Sequence, residues 1–203
     1  MPKLTTPISD ADILALKVGD TVLLNGIIVT GRDAAHKFMI ESYIRNPVTE
    51  VNKELYDDLR QLLDGGVIYH CGPVVKQHED GSYSFVAAGP TTSIREEVYQ
   101  PEVIAHFNLK GVIGKGGMGP NTLKACADQP AVYFHAIGGA ATLIAQSVKE
   151  VITVHKLEFG VPEAMWVIRV VDFPVVVTMD SHGGSLHEKV LAESQERFES
   201  LLA

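Results

Sequence analysis

Residues 18–31, VGDTVLLNGIIVTG, hold two runs of branched apolar side chains on either side of Asn25-Gly26. The chain then passes through Arg32-Asp33 into AAHKFMIESYI, whose apolar spacing predicts a helix. Asn-Gly between β-rich runs is a strong short-range hairpin signal, so the stretch reads as strand, turn, strand, helix.

Working outward, Val51, Leu55, Leu59, Leu62 and Leu63 recur at helical spacing, and Gly65-Gly66 supplies a left-handed stop before the short strand VIYHC at 67–71. Asp80-Gly81 predicts a hairpin between PVVKQ (73–77) and YSFVAA (83–88). AAGPTTSIREE (87–97) then leads into a helix interrupted at Pro101. LKGVIGKGGMGP (109–120) reads as a buried strand opening into a glycine-rich loop, with Asn121 or Thr122 capping the next helix. AVYFHAIGGAATLIAQSVKEV (131–151) repeats strand, Gly-Gly, helix, and the apolar runs MWVIRVV (165–171) and PVVVTMD (174–180) follow. A last helix carries the capping box Ser185-x-x-Glu188 and apolar Leu186, Val190, Phe198, Leu201 and Leu202. Strands alternating with helices, behind an apparent hairpin, imply one α/β layered domain over residues 1–203, with a mixed sheet and a second small sheet.

With 203 residues and 46% hydrophobic content, the chain can bury a sizeable core. Its formal charge of -8 repels nucleic acid except at local basic pockets. The amino terminus lacks the pattern of a signal peptide and no apolar run reaches the ~20 residues of a membrane span, so a cytoplasmic protein is expected. Cys71 and Cys126 form no C-x-x-C pair and read as buried free thiols. His70, His78, His106, His135, His155, His182 and His187 show no H-x-x-x-H pairing, so no metal is assigned to them. Trp166 reads as a strand residue, packed or at a subunit contact.

Three places share one design: a strand ends, glycines or small polar residues follow, and a cation sits beside them. They carry Arg32, Arg95 and Lys115. Ligands of α/β sheets bind at the carboxyl ends of strands, and cations converging there suit a small dianion, a dicarboxylic acid before a phosphate ester. GKGGMG lacks the spacing and the Ser or Thr of a P-loop. The bland readings are a capping box of Ser93 with Glu96, a local ion pair of Arg32 with Asp33, a segment-orienting His36, and a tight turn at Lys115. Under the capping reading Thr91 still lies outside the helix, free to face a ligand, so cap and anion site can coexist.

The ordered set GRDAAHK, YHCGPVV, AAGPTTSIR, GKGGMGP, YFHAIGGAA and VVVTMDSHGGSLH, spread over nearly the whole chain, resembles the β subunit, or carboxyl-terminal domain, of the class I iron-sulfur fumarases and L(+)-tartrate dehydratases. The resemblance implies a swivelling β/β/α fold, three-layered with a mixed sheet. It implies a hydro-lyase interconverting fumarate and L-malate, active only with an iron-sulfur α subunit that holds the 4Fe-4S cluster, with a homodimer of β chains as a further possibility. By motif, Thr91 takes the proton beside a substrate carboxylate, and Arg32, Arg95 and Lys115 are substrate ligands; no metal ligand falls on this chain. L(+)-tartrate dehydratase is the close rival. A non-catalytic module binding a dicarboxylate or phosphorylated metabolite is the alternative from another class.

Overall fold

The computed structural model describes residues 1–202. In chain order its elements are β1 (Lys3–Thr5), α1 (Asp10–Leu14), β2 (Thr21–Thr30), α2 (Asp33–Met39) continued by a π turn at Ile40–Ile44, α3 (Glu50–Leu63), β3 (Val67–Tyr69), β4 (Val74–Gln77) and β5 (Tyr83–Ala87). A 3-10 turn at Ser93–Val98 leads to α4 (Gln100–Phe107), β6 (Gly111–Gly114), α5 (Pro120–Asp128), β7 (Val132–His135), α6 (Ala141–Ala145), β8 (Val148–His155), β9 (Met165–Met179) and α7 (Leu186–Leu202).

Seven strands form one mixed sheet in the order β1-β2-β3-β6-β7-β9-β8, and a further pairing of β2 with β9 closes β2, β3, β6, β7 and β9 into a ring. Neighbours from β1 to β7 in that order run parallel, and β9 runs antiparallel to β2, β7 and β8. Parallel neighbours need crossovers, and α3, α4 and α5 supply them. Period-2 alternation then serves two cores. Val67, Tyr69, Ile113, Val132, Phe134, Trp166 and Ile168 face a core shared with Val75, Tyr83 and Phe85 of the β4–β5 hairpin. Ile68, Val112, Tyr133 and Val167 face the opposite core, under Ala35, Met39, Leu59, Leu63, Val103 and Ile104 of the helices. The layers are therefore small sheet, mixed sheet and helices, the mixed three-layer α/β architecture expected. Trp166 is packed, fully buried against Tyr83 and Phe85 with its Nε1 donating to the Val161 carbonyl at 2.9 Å.

Asp80-Gly81 does turn the hairpin, with Gly81 at φ +84°, and Gly65 ends α3 at φ +72°. Asn25-Gly26 does not turn. Residues 21–30 form one strand, and the pair makes a bulge in which Gly26 takes φ +98°. Across the bulge Asp172, itself at φ 51°, donates its N–H to Asn25 Oδ1 at 3.0 Å. The dipeptide that permits a hairpin also permits a kink, and the long partner strand decides between them. The two apolar runs at 165–180 are likewise one strand, bent at Asp172 and passing through Pro174. The helix expected after Gly138-Gly139 is short, ending at Ala145, because Val148, Val151 and Val154 pair with β9 instead. The capping serine of the last helix is present, with Ser185 Oγ accepting from Glu188 N at 3.3 Å, and no residue of α7 is buried.

A Cβ at Gly26 would overlap Thr6 Oγ1, which bridges the N–H and carbonyl of Ile27 at 2.7 Å each. Gly26→Ala combines that overlap with a left-handed φ and is expected to destabilise the protein by about 2 kcal/mol or more, measured by urea unfolding.

Candidate active site

The site lies at the carboxyl ends of β2, β3 and β6. Gly31 donates to the Tyr69 carbonyl at 3.0 Å, and His70 to that of Ile113 at 2.8 Å, so the three strand ends stay in register as they leave the sheet. Segment 90–93 is inserted between two of them. Thr91 N–H donates to His70 O at 2.8 Å, Lys115 N–H donates to Thr91 O at 3.1 Å, and Ser93 N–H donates to Lys115 O at 3.1 Å. Thr91 and Lys115 are thereby held as backbone neighbours although 24 positions separate them, and the Lys115 side chain runs past Gly138.

Arg32 follows β2 directly. Thr30 Oγ1, fully buried, donates to Ala164 O at 3.3 Å and accepts from Trp166 N at 3.0 Å, which brings the approach to β9 alongside the end of β2. Glu163 therefore reaches Arg32, with Oε1 3.2 Å from Nη2, while its Oε2 accepts from Ala34 N at 3.1 Å. Pro162 O takes Arg32 Nη1 at 3.4 Å. A Cβ at Gly72 would lie 2.5 Å from Nη1, so this glycine leaves the room that the guanidinium occupies.

Asp33 is not the partner of Arg32. It takes Arg95 through Nε at 3.2 Å and Nη2 at 3.0 Å. Burial pushes the Asp33 carboxyl up, but the Arg95 hydrogen bonds and charge outweigh this and hold it below its usual range. Each arginine is thus gripped by its own carboxylate, and Arg95 keeps its Nη1 edge for a second one.

Behind these residues runs a buried polar chain. His36 Nδ1 lies 2.9 Å from Arg32 O, and its Nε2 lies 2.9 Å from Gln100 Oε1. The same amide meets His70 Nε2 at 2.9 Å, His70 Nδ1 meets Ser93 Oγ at 2.8 Å, and Tyr133 OH donates to Ser93 Oγ at 2.8 Å. Burial lowers both histidines, His70 strongly, and any charge on His36 would lower His70 further, so the neutral ring is favoured in each. The Arg32 carbonyl only accepts, so the His36 proton sits on Nδ1 and Nε2 is left as an acceptor; the amide nitrogen of Gln100, rather than its oxygen, satisfies both rings. His36 orients the Arg32 segment, as its position one turn on suggested.

The capping box of Ser93 and Glu96 does not form. Ser93 N–H is spent on Lys115 O and its hydroxyl on His70 and Tyr133, while Glu96 is fully buried with both oxygens unpartnered among the described residues. The cap of α5 is not Asn121 or Thr122 either. Glu97 reaches across and accepts from Gly119 N, Asn121 N and Thr122 N at 2.8, 2.9 and 3.2 Å and from Thr122 Oγ1 at 2.6 Å, a negative charge on a helix amino terminus.

Apart from the Gln100 amide, four of the buried side-chain polar atoms lacking a partner among the described residues belong to three neighbours here: Arg32 Nε, Thr91 Oγ1 and both Glu96 oxygens. Since buried polar groups are nearly always paired, the deficit is concentrated where a ligand would sit. Sequence reasoning named Thr91, Arg32, Arg95 and Lys115 as candidates, and did not single out Glu163, Gln100, His70 and Ser93 as supports. Glu163, in VPEAMW, carried no local signal; its role follows from the β2–β9 pairing.

Cys71 and Cys126 are free and buried, and burial pushes both thiols up to about 12, away from the thiolate a metal requires. Among the described residues no three His, Cys, Asp or Glu side chains are grouped to hold a metal. The described residues do not fit an iron-sulfur cluster. No helix of the described residues is long and apolar enough to cross a membrane.

The family model described as Fumarase C-terminus matches residues 3–190. A relative in Geobacillus stearothermophilus named "Putative fumarate hydratase class I" is 49% identical over 194 residues, 96% of this chain; the chain spans 35% of that relative's length. The L(+)-tartrate dehydratase subunit beta of Escherichia coli (strain K12) is 39% identical over 197 residues, 95% of this chain and 91% of the relative.

Ser93 joins His70 and Tyr133, so Ser93→Ala strands two buried polar groups. The expected loss is about 1–3 kcal/mol by urea unfolding, larger than that of Tyr133→Phe, which leaves the Ser93–His70 bond in place.

Proposed function

Because this chain belongs to the fumarase C-terminus family, we propose that it is the β subunit of an iron-sulfur-dependent hydro-lyase that interconverts fumarate and L-malate. The observation that carries the reading is the Thr91 hydroxyl, buried and unpartnered among the described residues, on a backbone clamped between His70 and Lys115, with arginines on the segments before and after it already aimed by carboxylates.

In this reading Arg32, Arg95 and Lys115 hold the two carboxylates of the substrate. The Nη1 edge of Arg95 and the unpartnered Nε of Arg32 are the donors that remain for it. Thr91 takes the proton from the carbon next to one carboxylate. That step spreads negative charge onto the carboxylate oxygens, and cations fixed in advance stabilise it without reorganising. A threonine hydroxyl is a weak base, and the same cations favour its alkoxide. The β/β/α domain would complete its site against an α subunit that holds the 4Fe-4S cluster, which supplies Lewis acidity for the departing hydroxyl when bound.

A second reading, the β subunit of L(+)-tartrate dehydratase, is supported by the relative that matches this chain over 91% of its own length. The two substrates differ by a hydroxyl, and a site that hydrogen-bonds it discriminates strongly. The deciding experiment is anaerobic reconstitution with an iron-sulfur α subunit and side-by-side assay of fumarate and L-tartrate. Turnover of fumarate over tartrate is expected, and an intact cluster with neither activity would defeat the hydro-lyase reading. In the active complex, Thr91→Ala is expected to lower kcat by about 10²–10⁴ with little change in KM.

A further inference from the structure

Glu96 is unused by the reaction as described, yet its position is unusual. It leaves the 3-10 turn directly after Arg95, is fully buried, and has no hydrogen-bond partner for either oxygen among the described residues. Its nearest cation is Arg95, with Nη2 3.8 Å from Oε1, an ion-pair separation too long for a hydrogen bond. The helix end that would ordinarily occupy such a glutamate is closed to it, because Ser93 N–H is committed to the Lys115 carbonyl. A buried carboxylate with no donors is poorly tolerated in its charged form.

The charges that act on Glu96 from outside its own turn come from two places: Asp33 opens α2, and Arg32 follows β2. Tyr133 on β7 is the neutral group that feels the charge of Glu96 in return. Burial is the largest influence and raises the Glu96 carboxyl; the negative charge of Asp33 raises it further, and Arg95 and Arg32 offset part of this, leaving it at about 7. Arg95 is meanwhile already shared with Asp33 along its Nε–Nη2 edge.

We propose that Glu96 is a positioning residue that sets how much of the Arg95 guanidinium is available to the substrate carboxylate. Protonated, Glu96 leaves Arg95 held by Asp33 alone, with the Nη1 edge free. Ionised, it becomes a second carboxylate on the same guanidinium and a like charge beside the incoming dianion. The inference rests on Arg95 being a substrate ligand. A dianion beside Glu96 disfavours its ionised form, so substrate binding draws a proton onto it.

The sign follows from a carboxyl raised above its usual value. Between about 4.5 and 7 the native protein holds a proton that the unfolded chain has released, so the contribution to stability is full below that window and is lost as pH rises through it. The test uses the full chain and Glu96→Gln, which imitates the protonated side chain. Difference infrared spectra of the full chain are expected to show a carboxylic-acid carbonyl band at pH 6 that disappears with a midpoint near 7 and is missing in Glu96→Gln. Asp33→Asn, which removes the charge that raises Glu96, is expected to move the midpoint down. In the complex with the α subunit, KM for the dicarboxylate is expected to rise about tenfold between pH 6 and pH 8, and to stay flat in Glu96→Gln. Absence of the band at pH 6, or an unchanged KM profile in Glu96→Gln, would overturn the proposal. The infrared titration needs no turnover, so a complex inert toward both acids with the band still titrating would defeat the hydro-lyase reading while leaving the protonation of Glu96 established.

Discussion

The pairing of β2 with β9 is the constraint from which the rest follows. It closes the sheet into a ring, removing free edges along its middle strands, and it sets the carboxyl end of β2 against the approach to β9. Thr30 locks that junction through Ala164 and Trp166, and in doing so brings Glu163 to Arg32 across 131 positions of sequence. Without the ring, Arg32 would be a cation on a loose loop. With it, the guanidinium has one carboxylate, one carbonyl and one glycine-sized space to occupy.

The second layer of organisation is polar and buried. His36, Gln100, His70, Ser93 and Tyr133 connect the Arg32 carbonyl to the segment that carries Thr91, through side chains that burial keeps neutral. Hydrogen bonds in such surroundings are costly to leave unmade, so the chain fixes the relative position of two loops more firmly than apolar packing would. The exposed pairs contribute differently. Arg95 and Asp33 are each 43% exposed, so their pair adds little to stability and matters for the direction in which it points the guanidinium.

How much of this was legible in the sequence follows from the range of each interaction. The alternation of strands and helices and the Asp80-Gly81 hairpin are local signals, and they were readable; the motifs that nominate Thr91, Arg32, Arg95 and Lys115 are local too. Three of the misreadings share one cause. Asn25-Gly26, the run at 165–180 and the shortened helix before β8 were all decided by β9, a strand of 15 residues whose pairing on both edges outweighs local turn and helix preferences. Ser93-x-x-Glu96 has the spacing of a capping box, but a box requires its backbone N–H to be free, and Lys115 had claimed it. The bland alternative paired Arg32 with its chain neighbour Asp33, whereas the carboxylate meets Arg95. Adjacency in sequence was a poor guide to which charges meet.

The distribution of unsatisfied groups has a physical logic of its own. A site that must bind a dianion needs cations oriented before the ligand arrives, but cations alone would repel one another. Asp33 and Glu163 relieve that repulsion while occupying only one edge of each guanidinium, so orientation is gained without exhausting the donors. The same economy cannot be extended to a third ionised carboxylate. Glu96, buried behind Arg95 with neither oxygen hydrogen-bonded among the described residues, is tolerable there because burial and the charge of Asp33 favour its proton. Two charged acids balance the two arginines, so only with Glu96 neutral does the cluster avoid the net negative charge that would repel a doubly negative ligand.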